Sequence, residues 1–357
     1  MRLKSKTENP LSAEKPEDYI DRLGGDSHPA LMKKYAARIT DTVKDTIKGD
    51  VQSDPVAKQY IPQMQELTIL PEEMRDPIGD DAHTTVKGIV HRYPDRVLFK
   101  PVNVCAVYCR YCFRREHVGP QHAAPLNEAE LNAALDYIET HKDIFEVILT
   151  GGDPLVLSAK QMTTIMQRLE AIEHVKIVRF HTRVPMADPA RVTAELIKAM
   201  SSSNKAVYMA LHINHAQELN DDVRACLKQL HTAGLNLLSQ SVLLKGVNDD
   251  AAILADLYRE LLGVNVKPYY LHHPDLAPGT SHFRLSLKRG QAIVEKLRGH
   301  LSGLCQPTYM VDIPGGHGKV PCTPGTPVYK GNGEYEITDF NGQYHTYTSK
   351  ADQEDTE

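Results

Sequence analysis

Three cysteines crowd into eight positions of this 357-residue chain: Cys105, Cys109 and Cys112, in the run Val104-Cys105-Ala106-Val107-Tyr108-Cys109-Arg110-Tyr111-Cys112-Phe113-Arg114-Arg115. The spacing is C-x3-C-x2-C, and three thiolates on one loop can hold three corners of a four-iron cluster. The fourth iron then stays open to chelate a small molecule, and a reduced, low-potential cluster can pass that molecule an electron. The competing reading is a structural zinc knuckle with His117 as fourth ligand. Zinc sites usually show two paired ligand knuckles, whereas here one compact loop carries Tyr111 and Phe113 to shield a cluster from water.

A second reactive stretch is Val311-Asp312-Ile313-Pro314-Gly315-Gly316-His317-Gly318-Lys319. It is not a nucleotide P-loop, because Ile313 occupies the required first glycine position and Val320 replaces Ser/Thr. A lysine behind flexible glycines suits a Schiff base with pyridoxal phosphate, since the amine must reach the aldehyde and later leave it. A third stretch, Thr150-Gly151-Gly152-Asp153-Pro154, has glycines that let backbone approach a ligand closely, with Asp153 placed to accept hydrogen bonds or orient the loop.

These groups need a scaffold. Apolar strand-like runs at 96–103, 145–149, 176–180, 206–211, 236–243 and 266–271 alternate with helical patterns at 127–141, 159–172, 191–200, 221–233, 249–262 and 286–301. In the first helix Leu131, Leu135 and Ile138 recur at helical spacing. The order predicts an α/β fold with a parallel sheet, and periodicity alone leaves an open doubly wound sheet and a curved partial barrel both standing. Cys105 follows the first strand, Gly151-Gly152-Asp153 the second, His181 and Arg183 the third, His212 the fourth and Asp275 the sixth, while Gln240 lies near the end of the fifth. Loops converge above the C-terminal ends of parallel strands, so independent motifs are expected to share one pocket.

Residues 15–81 read as a helical N-terminal region, with a pattern at 28–48 and breaks at Pro55, Pro62, Pro71 and Pro77. A further strand is expected at 308–313, a β-containing tail at 327–348, and disorder at 350–357. The expected division is a helical N-terminal region (1–90), a (βα)6 core (91–305), and a lysine loop with C-terminal extension (306–357). Charged residues make up 24% and the net charge is −5, which offers no general attraction to nucleic acid or anionic membrane. No apolar run approaches the roughly 20 residues of a membrane helix, residues 1–6 lead into polar sequence without a secretory core, and six cysteines are too few for a disulfide scaffold. A cytoplasmic protein is expected.

Taken together the chain resembles the lysine 2,3-aminomutase family of the radical S-adenosylmethionine superfamily, over residues 54–348. The resemblance is carried by His91-Arg92-Tyr93-Pro94-Asp95-Arg96-Val97-Leu98-Phe99, the cysteine loop, the Gly-Gly-Asp segment, Asn248-Asp249, Pro268-Tyr269-Tyr270 and Pro314-Gly315-Gly316-His317-Gly318-Lys319. It implies a partial (βα)6 TIM-like barrel of the radical S-adenosylmethionine type and three cofactors: a [4Fe-4S] cluster on Cys105, Cys109 and Cys112, S-adenosylmethionine, and pyridoxal 5′-phosphate on the catalytic Lys319. It further implies that Gly151, Gly152, Asp153, His212 and Gln240 lie near S-adenosylmethionine, that Arg92 and Arg183 meet the phosphate of pyridoxal phosphate, and that Arg114 binds the substrate carboxylate.

Asp275 and Asp312 match the family's two carboxylates for the side-chain ammonium of lysine. Two carboxylates compensate the desolvation of one ammonium and repel an acidic substrate. The implied reaction interconverts L-α-lysine and β-lysine, with the substrate held as an external aldimine, a 5′-deoxyadenosyl radical abstracting hydrogen, and S-adenosylmethionine regenerated. The implied partners are L-lysine and a one-electron reductant such as flavodoxin or ferredoxin, with a homo-oligomer left open. Supply of β-lysine for elongation factor P, an arginine substrate, and a non-catalytic zinc protein stay as alternatives. No cysteine follows Cys322, so the second structural metal of longer family members is not expected, and Cys226, Cys305 and Cys322 read as buried thiols.

Overall fold

Strands rich in Val, Ile, Leu and Phe bury both faces only when helices cover one side and strands curl around the other, and the chain follows that solution. The computed structural model describes residues 16–119, 124–323, 327–349 and 352. Ten strands lie side by side in chain order: β1 Thr84–Val86, β2 Ile89–Tyr93, β3 Arg96–Val102, β4 Glu146–Gly151, β5 Ile177–Thr182, β6 Ala206–His212, β7 Asn236–Val242, β8 Lys267–His272, β9 Thr308–Asp312 and β10 Lys319–Pro321. From β3 to β9 every pairing is parallel, and β1, β2 and β10 add antiparallel margins. The six expected strands are present, and the further strand expected at 308–313 joins the same sheet as a seventh parallel member.

Among the described residues no backbone pairing joins β1 to β10, so the barrel is partial. Its two margins are nevertheless tied across the gap. The backbone N–H of Lys319 donates to the Tyr93 hydroxyl at 2.9 Å. The Gly315 N–H donates to the Pro77 carbonyl at 3.4 Å, and His83 Nε2 lies 3.2 Å from the Gly316 carbonyl oxygen. A Cβ on Gly79 would lie 2.5 Å from Gly316 Cα, so only glycine allows the two turns to touch.

Four short helices, α1 Pro16–Arg22, α2 Pro29–Lys34, α3 Asp41–Thr46 and α4 Ala57–Tyr60, precede the sheet. The single pattern expected at 28–48 is thus divided, because Tyr35 is extended and Thr40 restarts the helix as an N-cap. The sheet also begins earlier than the expected boundary at 90, through a hairpin turning at Gly88 with φ 91°.

The crossover helices are α5 Glu128–Thr140, α6 Ala159–Glu170, α7 Val184–Ala187, α8 Ala194–Ser201, α9 Asp221–Thr232, α10 Ala251–Gly263 and α11 Leu287–Glu295. Asn127 and Ser158 cap α5 and α6 through reciprocal bonds with Glu130 and Gln161. Met162, Ile165, Met166 and Leu169 form the buried stripe of α6; each fully buried side chain of this size contributes about 1.5–3 kcal/mol. The last helix ends at Glu295 rather than 301, and beyond it Gly299 at φ 73° packs on Phe340. The tail forms a separate antiparallel sheet, β11 Val328–Gly331, β12 Glu334–Thr338 and β13 Tyr344–Thr348. Of the stretch expected to be disordered, only residue 352 lies within the described residues.

Candidate active site

One cavity of about 500 Å³ opens at the C-terminal ends of the parallel strands, and every site residue expected from the sequence lines it. The cysteine loop enters from β3 and is braced by the N-terminal helical region. Arg110, between the second and third cysteines, donates to Glu66 through Nε at 2.9 Å and Nη2 at 2.6 Å, and Arg115 pairs with the same carboxylate. Burial raises the Glu66 carboxyl, but the two arginines more than offset it and hold it below the usual carboxylate range. Neighbouring backbone is fixed as well, with Tyr108 N–H on the Arg38 carbonyl at 3.1 Å and Arg110 N–H on the Gln59 carbonyl at 2.8 Å.

All three thiols are free. Burial, then the nearby Asp153 and Cys112, pushes the Cys105 thiol well up; burial, then Cys109, pushes Cys112 up to about 11. Such thiols become ligands only beside a strong positive charge, which a bound cluster supplies. Among the described residues no group of three His, Cys, Asp or Glu side chains is placed to hold a single metal ion, and His117 does not complete a zinc knuckle. A cubane asks for something different, because each thiolate binds its own iron. Three free thiols on one loop at C-x3-C-x2-C spacing suit three corners of such a cluster.

The Gly-Gly-Asp segment extends the β3–β4 pairing beyond the strand ends. Gly152 N–H donates to Val102 O at 2.8 Å and Asp153 N–H to Val104 O at 3.0 Å. A Cβ on Gly152 would sit 2.3 Å from Val104 O, so glycine is required where this loop crosses the approach to Cys105. The Asp153 carboxylate accepts four bonds: from Leu155 N–H at 3.0 Å, Thr182 Oγ1 at 2.7 Å, Arg183 N–H at 2.7 Å and Val184 N–H at 3.2 Å. Its oxygens are thus spent on tying β4 to β5, which makes Asp153 a loop organiser rather than a free acceptor for ligand.

Arg183 is engaged in the same way. It lines the cavity, but its guanidinium donates to Glu218 at 2.5 Å, to Gln59 at 2.6 Å and to the hydroxyls of Tyr60 and Tyr111. With Nε and both terminal nitrogens engaged, it belongs to a buried network beside Cys109. Arg92 is the better fit to a phosphate, because its Nε is buried with no hydrogen-bond partner. His212 and Gln240 both line the cavity and contact each other, the Gln240 amide lying 2.7 Å from His212 Nε2. Burial, then Arg183 and Arg114, holds His212 down at about 3, so the ring is a neutral acceptor.

Across the β9–β10 ladder Lys319 stands opposite Asp312, and Nζ lies 2.7 and 2.6 Å from the two carboxylate oxygens. Gly315, Gly316 and Gly318 take φ values of 85°, 87° and 94°, which allow the tight connection between these strands. Asp275 is half-buried, and desolvation, then Asp312, pushes its carboxyl up to about 7. The amine on an acid, a second acid beside it and an unpartnered arginine donor fit a pyridoxal phosphate whose substrate carries a distal ammonium.

Sequence reading missed several residues of this site. Asp80 holds Arg92, Lys100 and Arg114 together. Its run Asp76-Pro77-Ile78-Gly79-Asp80-Asp81 signals only a turn. Glu66 and His272, whose Nδ1 lies 3.8 Å from Asp312, also carry no chemical motif, and Tyr93 entered only as part of the 91–99 segment, with no role assigned.

The family model described as the radical SAM superfamily matches residues 99–257, and the one described as lysine-2,3-aminomutase matches residues 294–357. The chain is 38% identical over 295 residues to the L-lysine 2,3-aminomutase of Acetoanaerobium sticklandii, covering 83% of this chain and 71% of that protein. It is 37% identical to the proteins of that name from Methanococcus maripaludis, covering 92% of this chain and 74% of that one, and from Clostridium subterminale, covering 89% and 76%. With likeness at that level over most of both chains, and with the cysteine and lysine loops opening on one cavity, the chain belongs to the lysine 2,3-aminomutase family of radical S-adenosylmethionine enzymes.

Proposed function

We propose that this chain is an L-lysine 2,3-aminomutase, an isomerase that interconverts L-α-lysine and β-lysine by a 5′-deoxyadenosyl radical route. The reading is carried by one cavity that presents the arginine Arg114, the two acids Asp275 and Asp312, and Lys319 together with the three cysteines. L-Lysine has the complementary charges, a carboxylate for the guanidinium and a distal ammonium for the acids. When bound, the cluster and S-adenosylmethionine supply the radical, and pyridoxal phosphate carries the migrating nitrogen.

The residues divide the remaining work. Cys105, Cys109 and Cys112 hold the cluster on a loop braced by Glu66. Gly151 and Gly152 let backbone approach S-adenosylmethionine, and Asp153 fixes the loop that brings His212 and Gln240 to it. Arg92 meets the phosphate, while Arg183 neutralises Glu218 and pins the hydroxyls of Tyr60 and Tyr111. Asp312 holds the Lys319 amine until that amine is called to the cofactor, and then shares the substrate ammonium with Asp275. The helical region before β1 braces the cysteine loop, the sheet and its crossover helices form the catalytic core, and the turn between β9 and β10 brings the lysine. A one-electron reductant such as flavodoxin or ferredoxin would supply the electron for a cluster held there. No helix among the described residues is long and apolar enough to cross a membrane, and a reducing cytoplasm suits the cluster.

Anaerobic protein given reductant, S-adenosylmethionine and pyridoxal phosphate is expected to convert isotope-labelled L-lysine to β-lysine, with chiral chromatography assigning the product. Conversion of arginine with lysine untouched would refute the substrate, and a colourless zinc-loaded protein would refute the enzyme.

A further inference from the structure

Behind the cavity wall one acid gathers three cations. Asp80 is only 6% exposed. Its Oδ2 lies 2.9 Å from Arg114 Nε, 2.8 Å from Arg114 Nη2 and 3.8 Å from Lys100 Nζ, and its Oδ1 lies 3.3 Å from Arg92 Nη2. These cations come from three elements: Arg92 from β2, Lys100 from β3 and Arg114 from the cysteine loop. Arg92 and Arg114 line the cavity, whereas Asp80 and Lys100 do not. Asp80 therefore acts through the arginines and not on the ligand.

The acid itself is rigidly seated. Its N–H donates to Asp76 Oδ1 at 2.8 Å, and its carbonyl accepts from Thr84 Oγ1 at 2.8 Å. The preceding residue, Gly79, is the one that abuts Gly316 of the lysine loop. One short turn thus sets the orientation of Arg114 and touches the loop that carries Lys319.

We infer that Asp80 is the positioning residue for substrate carboxylate recognition. It fixes the Nε–Nη2 edge of Arg114, leaves the Nη1–Nη2 edge for the incoming carboxylate, and keeps Arg92 aligned beside it. The inference rests on the assignment of Arg114 to the substrate carboxylate. Asp80 is the acid in direct contact with all three cations, while Asp76 and Asp81 act on Lys100 from further off, so the guanidinium groups of Arg92 and Arg114 still face the cavity as partners for two ligand anions, a carboxylate and a phosphate. Without the acid the three cations repel one another and the guanidinium fork loses its fixed direction, which matters because a bidentate contact depends on geometry as well as charge.

The test uses holoenzyme carrying cluster and pyridoxal phosphate, without reductant or S-adenosylmethionine so that no turnover occurs. Calorimetric titration compares L-lysine with L-lysinamide, which lacks the carboxylate. Asp80→Asn is expected to raise the Kd of L-lysine by about tenfold or more while moving that of lysinamide less than about twofold. Asp80→Glu should restore most of the loss, and in an Arg114→Ala background Asp80→Asn should add less than about twofold. Iron content and the absorbance of lysine-bound pyridoxal phosphate report folding independently of binding. Equal weakening of both ligands, or an unchanged or tighter L-lysine Kd, would overturn the inference. If wild type itself fails to prefer lysine to lysinamide, the carboxylate assignment of Arg114 falls first; if that preference survives Asp80→Asn, only the role of Asp80 falls.

Discussion

Lys319 and Asp312 are direct partners across the β9–β10 ladder, and both carboxylate oxygens lie within 2.7 Å of the lysine Nζ. The acid assigned to the substrate's distal ammonium is therefore the one that holds the resting amine. On the proposed function Lys319 would leave Asp312 to reach a cofactor aldehyde, and its departure would expose the charge that the substrate needs.

Asp312→Asn should consequently weaken two steps at once. Loss of one charge-assisted bond is worth about 1.5–3 kcal/mol, so KM for L-lysine is expected to rise roughly tenfold to a hundredfold. Norleucine, which has no distal ammonium, should lose little affinity. Steady-state kinetics and competition binding separate the two.

Lys319→Ala removes the only amine that this loop offers. The absorbance band of lysine-bound pyridoxal phosphate should vanish and activity should fall to background. Iron content should stay at the wild-type level, because the cysteine loop is braced from the N-terminal side, by Glu66 and Gln59.

Acid pH should weaken substrate binding through Asp275. Burial and Asp312 push this carboxyl up to about 7, so on the acid side the pair holds a proton that the substrate ammonium must displace. Below about pH 7 the affinity for L-lysine should fall by up to about tenfold per pH unit, and above it the dependence should flatten. Asp275→Asn, measured by the same titration, should bind more weakly throughout and lack this limb.

The buried triad of Glu66 with Arg110 and Arg115 should matter for stability as well as for the cluster. Glu66→Gln leaves two buried guanidinium groups without their counter-charge, an effect of about 3–5 kcal/mol. Thermal unfolding should shift to lower temperature, and iron per chain should fall with it.

Gly152→Ala should damage cluster loading with a smaller effect on pyridoxal phosphate. Its new methyl would meet the Val104 backbone, which cannot move without displacing Cys105. Low iron with a retained cofactor absorbance band is the expected pattern.

Much of this was legible in the chain itself. The C-x3-C-x2-C spacing, the lysine behind three glycines and the alternation of apolar runs with amphipathic helices are local patterns, and local patterns survive in a linear text. The strand-end positions of Cys105, Gly152, His212, Gln240 and Asp275 already implied one pocket. Tertiary structure decided what depends on pairs distant in sequence. It showed that Arg183 is engaged by Glu218, Gln59, Tyr60 and Tyr111 and that Asp153 is engaged by the start of the next helix. It brought Asp80 under three cations and Tyr93 against Lys319. An ionic side chain carries no sign of its partner in its own neighbourhood of sequence. Whether it faces a ligand or neutralises a buried neighbour is settled only when folding removes water and forces each charge to find its complement.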